Sequence, residues 1–89
     1  MKFTTGEQNL AKKFNLDLTR VGDSAVFTAT NPFSGVQVKL NALGASLYSL
    51  TMQKYQDIQY GRSTNVSEAD RLKYLFLKLF PDEYMDLLD

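Results

Sequence analysis

The stretch RLKYLFLKLFPDEYMDLL, residues 71–88, constrains the fold most strongly because its apolar residues recur at helical spacing and are interrupted by one proline. One side of a helical wheel carries Leu72, Leu75, Phe76, Leu79 and Phe80. This spacing is typical of a helix that lies on a core. Pro81 disfavours continuation of that helix but suits the first position of a new one. We therefore predict a C-terminal helix followed by a short second helix after Pro81.

The chain is short, so each large core residue contributes a substantial part of its stability. We interpret residues 1–89 as a single small globular domain, since 44% hydrophobic and 22% charged residues are typical of one. Cysteine is absent, which excludes disulfides and thiolate metal sites. No apolar run is long enough for a membrane helix, and the N-terminal residues do not resemble a secretion signal. We expect a soluble, cytoplasmic protein with no membrane partner.

The N-terminal half of the sequence predicts one helix followed by strands. Thr4 with Glu7, or Thr5 with Gln8, has the spacing of a capping box, and Asn15 is a typical left-handed helix stop. Alternation of apolar and polar residues then predicts strands within 16–19, 25–30 and 36–40. A tight hairpin at residues 22–23 and a turn at residues 31–35 connect them.

Residues 44–61, GASLYSLTMQKYQDIQYG, admit two interpretations. Tyr48, Leu50 and Met52 alternate with polar residues, which predicts a fourth strand over about residues 46–54, whereas Met, Gln and Lys also favour a helix. The segment resembles the early strand-glycine-strand segment of galactose mutarotases, which implies strands. That family's catalytic His and Glu belong to segments this short chain does not hold, and the chain has no histidine, so the resemblance implies no activity.

Together these elements predict an α+β domain. Its order is an N-terminal helix, an antiparallel meander of three or four strands, a C-terminal helix and the short helix after Pro81. Ser67 and Asp70 have the spacing of an N-cap and a first-turn acid for the C-terminal helix. The predicted core consists of Leu16, Leu18, Phe27, Val36, Val38, Leu40, Leu72, Leu75, Phe76 and Leu79.

Charges are balanced overall but unevenly distributed. Residues 1–62 carry a net charge of +3 and residues 63–89 a net charge of −3. The two parts could attract each other within the fold, or the acidic part could face a partner. We favour the first interpretation.

The residue inventory argues against catalysis and against bound cofactors. Without His and Cys, the commonest general base and thiol nucleophile are missing, so we predict no enzymatic activity. Acidic residues 82, 83 and 86 could face a cation, but the helix dipole explains acids in a first turn, and we predict no metal site. Arg62, Ser63 and Thr64 precede a helix N-terminus and form a weak candidate anion site, for which a plain loop is the simpler interpretation.

Tyr74 and Leu77 lie opposite the core stripe and, with Tyr84, form a candidate interaction surface. The interpretation we favour for Tyr74 and Leu77 is cover by the first helix or by the helix after Pro81, and contact with a partner is the alternative. We predict a non-enzymatic protein-interaction module whose partner is another protein or a second copy of itself. The alternative function is a nucleic-acid-binding accessory domain, because the helix-meander-helix order is similar to that of double-stranded RNA-binding domains. Those domains carry lysines where this chain has SEADRLK, so nucleic acid is not the expected partner.

Overall fold

In this α+β arrangement, one α-helix and a 3-10 turn precede a β-hairpin, and the remaining helices follow it. A computed structural model describes residues 2–88, and Met1 and Asp89, which belong to the predicted domain, lie outside the described residues. The elements are α1 (Thr5–Lys13), a 3-10 turn (Leu18–Arg20), β1 (Phe27–Thr30), β2 (Gln37–Leu40), α2 (Ala42–Gln59), α3 (Val66–Leu79) and α4 (Pro81–Leu87). The α+β class and its antiparallel sheet are confirmed.

Helix α1 begins and ends through local interactions. The hydroxyl of Thr4 accepts a hydrogen bond from the Glu7 N–H, and the Glu7 carboxylate accepts one from the Thr4 N–H, so the structure forms the first of the two capping boxes that the sequence allowed. Asn15 has a φ of 57°. The Leu16 N–H donates to the Ala11 carbonyl at 2.8 Å, which completes the predicted left-handed helix stop.

The strand predicted within residues 16–19 is wrong. The Asp17 carboxylate accepts hydrogen bonds from the N–H and hydroxyl of Thr19, and these short-range bonds hold a 3-10 turn in place of extended backbone. The hairpin at residues 22–23 is also wrong, because the carbonyls of Arg20, Val21 and Asp23 accept hydrogen bonds from the side chain of Asn41 and not from a partner strand.

The sheet within residues 2–88 has two strands, and the prediction of three or four is wrong. Strand β1 pairs antiparallel with β2 in a register that places Phe27 opposite Leu40 and Ala29 opposite Val38. The turn predicted at residues 31–35 connects them and uses a positive φ at Gly35.

Residues 46–54 form the middle of helix α2 and not a fourth strand, so the implication of the mutarotase resemblance is also overturned. The Asn41 side chain caps this helix by accepting a hydrogen bond from the Gly44 N–H at 2.9 Å. Its buried face consists of Leu43, Gly44, Leu47 and Thr51. Because two of these four residues are not large and apolar, the helical period is hard to recognise in the sequence.

Helices α3 and α4 follow the predicted break. Asn65, and not Ser67, caps α3, because its side chain accepts a hydrogen bond from the Glu68 N–H. The helix ends at Leu79, Phe80 has a φ of −135°, and Pro81 occupies the start of α4. The two predicted C-terminal helices are confirmed with this correction.

The core lies between the sheet and the helices. Its buried cluster consists of Leu10, Val38, Leu40, Leu43, Leu47, Leu72, Leu75, Phe76, Leu79, Phe80 and Leu87. Leu16 and Leu18 only pack against the edge of this cluster. The prediction of Phe27 and Val36 as core is wrong, since they remain 48% and 42% exposed. Among the described helices, none combines the length and the apolar character needed to cross a bilayer.

Candidate interaction surface

The β-hairpin has one side on the core and one side in solvent. On β2, Val38 and Leu40 are buried against the helices, while Gln37 and Lys39 are exposed. Cross-strand partners share a face, so Thr28, opposite Lys39, lies on the solvent side. The outer face of the hairpin is therefore polar.

The turn of the hairpin is held in place by Asn31, which is buried. Its side-chain oxygen accepts hydrogen bonds from the N–H groups of Phe33 and Ser34 at 2.8 and 3.2 Å. Its side-chain nitrogen donates to the Asp86 carbonyl of α4 at 2.9 Å. One side chain thus shapes the turn and attaches it to the C-terminal helix.

The hydrogen-bond direction along β1 follows from the register. The pairing continues beyond the strand to Asn31 and Val36, and the Asn31 N–H donates to the Val36 carbonyl at 2.9 Å. Backbone groups alternate in direction along a strand. Ala29 therefore also directs its N–H and C=O toward β2, whereas Thr28 and Thr30 direct theirs away from it.

The outer edge of β1 is open. Within residues 2–88, no backbone hydrogen bond joins Thr28 or Thr30 to a segment outside the sheet, and no side chain bonds their backbone groups. Both residues are exposed. Their two N–H and two C=O groups form a short row available to a further strand.

The opposite edge of the sheet differs from this one. Strand β2 carries the exposed Lys39, and α4 packs beside β2. A cleft where the end of β2 meets the start of α4 is lined by Lys39, Phe80 and Pro81, together with Ala25 from the loop before β1. Lysine and a covering helix are common protections of a sheet edge. Residues 24–36 contain no charged residue, so β1 lacks the first protection.

Exposed apolar side chains concentrate on the same hairpin. Val26, Phe27, Phe33 and Val36 are all exposed, and Phe33 is 97% exposed at the tip of the turn. Scattered exposed apolar residues are normal, but a group around an open edge indicates an interaction site. Beneath Phe33 lies an open groove lined by Met52, Tyr55, Lys73, Leu87 and Leu88, among others.

The residues of the predicted interaction surface lie on the helical side of the molecule. Tyr74 is exposed and borders a cleft that is also lined by Thr4, the N-cap of α1, and by Glu7 of its first turn. Tyr84 packs its ring 6.4 Å from that of Phe76 in the core. Leu77 is partly buried. A partner contact at Tyr74, Leu77 and Tyr84 stays a prediction.

The predicted anion site is occupied by internal interactions. Arg62 donates from Nε to the Asp57 carboxylate at 3.1 Å and lies over the ring of Tyr60. The Ser63 hydroxyl accepts a hydrogen bond from the Asn65 N–H, and the Thr64 carbonyl accepts one from the Val66 N–H. Anion binding at Arg62, Ser63 and Thr64 stays a prediction, and the ion pair with Asp57 reduces its charge.

Three helices share one carboxylate at the start of α3. Glu68 pairs with Lys13 of α1 and with Lys54 of α2, the latter at 3.0 Å. Hydrogen bonds from Lys13, and then from Lys54, hold the pKa of the Glu68 carboxyl below its usual value. A second ion pair joins Lys78 of α3 to Glu7 of α1 at 2.9 Å and lowers the pKa of the Glu7 carboxyl. Lys13 and Lys54 thus join the basic part, residues 1–62, to an acid of residues 63–89, whereas the Lys78–Glu7 pair joins the two parts with the opposite polarity.

A partly buried hydrogen bond adds to this connection between α2 and α3. The Tyr55 hydroxyl donates to the Asp70 carboxylate at 2.7 Å, and burial together with that bond raises the pKa of Tyr55 to about 12.

No group of three or more acidic residues within residues 2–88 is placed to hold a metal ion.

The sequence interpretation missed Asn31 and Asn41, the two buried asparagines that position the hairpin. The signal was present in part, since NPFSG at residues 31–35 is an asparagine-initiated turn and Asn41 precedes a possible helix. The sequence interpretation also missed the open edge of β1, because an edge strand can be identified only when the number of paired strands is known.

No protein-family model, curated protein or solved structure matches this chain. A functional proposal therefore rests on the contacts and exposed groups of the chain itself.

Proposed function

We propose that this protein is a non-enzymatic protein-interaction module that binds an extended strand at the open edge of β1. The observation that carries the proposal is the outward row of backbone groups on Thr28 and Thr30, which lie in an uncharged segment. Strand addition to a sheet edge is a recurring mode of peptide recognition. Main-chain hydrogen bonds supply affinity, and the neighbouring side chains supply selectivity.

The energetics fit a moderate, reversible interaction. A strand paired with Thr28 and Thr30 can form four backbone hydrogen bonds, each worth about 0.5 to 1.5 kcal/mol net. Phe27, on the inner side of the edge, is half-exposed and would contact alternate side chains of the added strand. Ordering of a free peptide offsets part of this gain.

The nucleic-acid alternative has less support from the geometry. Lys13 and Lys54 already pair with Glu68, and Lys78 pairs with Glu7. Phosphate binding relies on basic side chains that release counterions, and these three are neutralised within the fold. The proposal therefore retains protein as the partner class.

The proposal is tested by selecting displayed peptides against the protein and comparing two variants at one position. Thr28→Pro removes an outward N–H that makes no bond within the sheet, so the fold should tolerate it. Thr28→Val keeps that N–H and a similar shape, and it is the matched control. We expect selected peptides to be uncharged and rich in β-branched residues, and to bind Thr28→Pro at least about tenfold more weakly than Thr28→Val.

Circular dichroism and thermal unfolding establish that both variants fold. Equal peptide affinity for the two folded variants would rule out the β1 edge as the binding surface. A selection that enriches no peptide dependent on Thr28 would count against the proposal in the same way.

A further inference from the structure

We propose, on the basis of the function proposed above, that the strand added to β1 is β1 of a second copy of this chain. The two strands pair antiparallel about a two-fold axis at Ala29 and join two hairpins into one four-stranded sheet. The observation behind this is that the hydrogen-bonding groups of β1 match those of the same strand turned around.

The match is visible in the register. With Ala29 opposite Ala29 of the second copy, Thr28 lies opposite Thr30 of that copy, and Thr30 lies opposite its Thr28. Thr28 and Thr30 are the residues whose backbone groups point outward. Each therefore exchanges both of its groups with its counterpart, and every outward N–H and C=O of the two strands finds a partner.

Neighbouring registers leave an outward carbonyl of Thr30 or Thr28 without a donor. Centring the axis on Thr28 requires the Val26 N–H to donate to the second copy, but that group already donates to the Leu40 carbonyl at 3.1 Å. Centring it on Thr30 places Thr28 opposite Pro32, which has no N–H to donate. Of these three registers, the Ala29 register is the one that pairs both outward groups of Thr28 and both outward groups of Thr30.

The side chains are compatible with this pairing. Ala29 is small, and residues on a non-hydrogen-bonded pair approach each other most closely, which suits the position on the axis. Threonine opposite threonine is a favourable cross-strand pair. No like charges meet, since residues 24–36 are uncharged. A second copy of β1 thus supplies a small residue at the axis, threonines opposite threonines and no like charges.

A second copy also remedies a weakness of the isolated fold. Two-stranded hairpins are marginal by themselves, and additional strands stabilise them. Strand pairing over so few residues buries little surface, so we expect a weak dimer whose population rises with concentration.

The test uses charged residues that lie opposite each other in the proposed dimer. In the proposed dimer, Thr28→Lys/Thr30→Lys places lysines opposite lysines at both Thr28–Thr30 pairs, and Thr28→Glu/Thr30→Glu does the same with carboxylates. Both positions are exposed, so each variant should fold as a monomer. Mixing the two variants places Lys opposite Glu throughout. We expect sedimentation at low ionic strength to show wild-type dimers, dimerisation weakened about tenfold or more in each variant alone, and restored dimers in the mixture.

Other results would overturn the proposal. They include a wild-type chain that stays monomeric at all concentrations, a dimer that Thr28→Pro leaves intact, and a mixture of the two charged variants that stays monomeric. Peptide binding distinguishes failure of the dimer proposal from failure of the proposed function. If the chain is monomeric but peptides still require the Thr28 N–H, the edge is an interaction site and the second copy is not its occupant. If both are absent, the proposed function fails as well.

Discussion

Gly44 of α2 lies directly against the ring of Phe80 at the junction of α3 and α4. A Cβ placed on Gly44 would stand 3.2 Å from Phe80 Cζ and 3.1 Å from Leu40 Cδ2, closer than ordinary van der Waals contact. The absence of a side chain therefore allows α2 to approach both the sheet and the helix junction. The helix accepts the lower helical propensity of glycine at this position.

Gly44→Ala should lower the free energy of unfolding, although alanine favours helices. Crowding against Leu40 and Phe80 costs about 1 to 3 kcal/mol, whereas the gain in helix propensity is about 1 kcal/mol. Gly6→Ala in α1 is the matched control, because its Cβ would meet nothing closer than 3.9 Å. Chemical denaturation should show a less stable Gly44→Ala and a Gly6→Ala at least as stable as wild type. A stabilised Gly44→Ala would contradict the close packing.

Phe76→Ala should destabilise the fold by about 3 to 5 kcal/mol, a large part of the stability of so small a domain. Phe76 is fully buried, and its ring lies 5.7 Å from that of Phe80 and 6.1 Å from that of Tyr48. Phe33→Ala removes the same atoms from a 97% exposed position and should leave the unfolding midpoint nearly unchanged. Similar midpoints for the two variants would contradict the placement of Phe76 in the core.

Acid should destabilise the protein through Glu68. Its lowered pKa means that its contribution is fully present above the unfolded carboxyl pKa of about 4.5 and is lost as the pH falls through the lower folded value. Glu68→Gln removes the carboxylate that Lys13 and Lys54 share. The melting temperature of this variant should therefore fall less than that of wild type in this window.

The control for Glu68 is Asp82→Asn. Asp82 is exposed and takes part in none of the ion pairs found within residues 2–88, so this variant should follow the wild-type pH profile. Parallel profiles for Glu68→Gln and wild type would show that the shared carboxylate does not stabilise the fold.

Among the side chains of α4, Leu87 should contribute most to the stability of the fold. Leu87 is 4% exposed and belongs to the core cluster, whereas Met85, two residues earlier, is 57% exposed. Leu87→Ala should cost about 2 to 5 kcal/mol, and Met85→Ala should cost much less. The comparison is made by urea denaturation. Equal effects would mean that α4 does not dock on the core as described.

Three features that depend on residues close in sequence could be predicted. The Thr4–Glu7 capping box, the left-handed Asn15 and the helix break at Pro81 each depend on groups a few residues apart. The apolar spacing of α3 was equally informative, because a helix that lies on a core repeats its large residues in a recognisable period. The same criterion of apolar spacing did not identify residues 46–54 as helical, since Gly44 and Thr51 occupy buried positions of α2 without being large and apolar.

The sequence by itself determined the α+β class, the first helix, the turn before β2 and the two C-terminal helices, because local hydrogen bonds and periodicity specify them. Only the tertiary structure decided that the sheet stops at two strands, since residues 16–19 and 46–54 form other elements. It also decided that Asn41 would anchor a loop some twenty residues earlier in the chain, at the carbonyls of Arg20 and Val21. The edge of β1 is open because no further segment of the chain pairs with it. Long-range packing alone determines which segments reach a strand edge, so the open edge could not be predicted from the sequence.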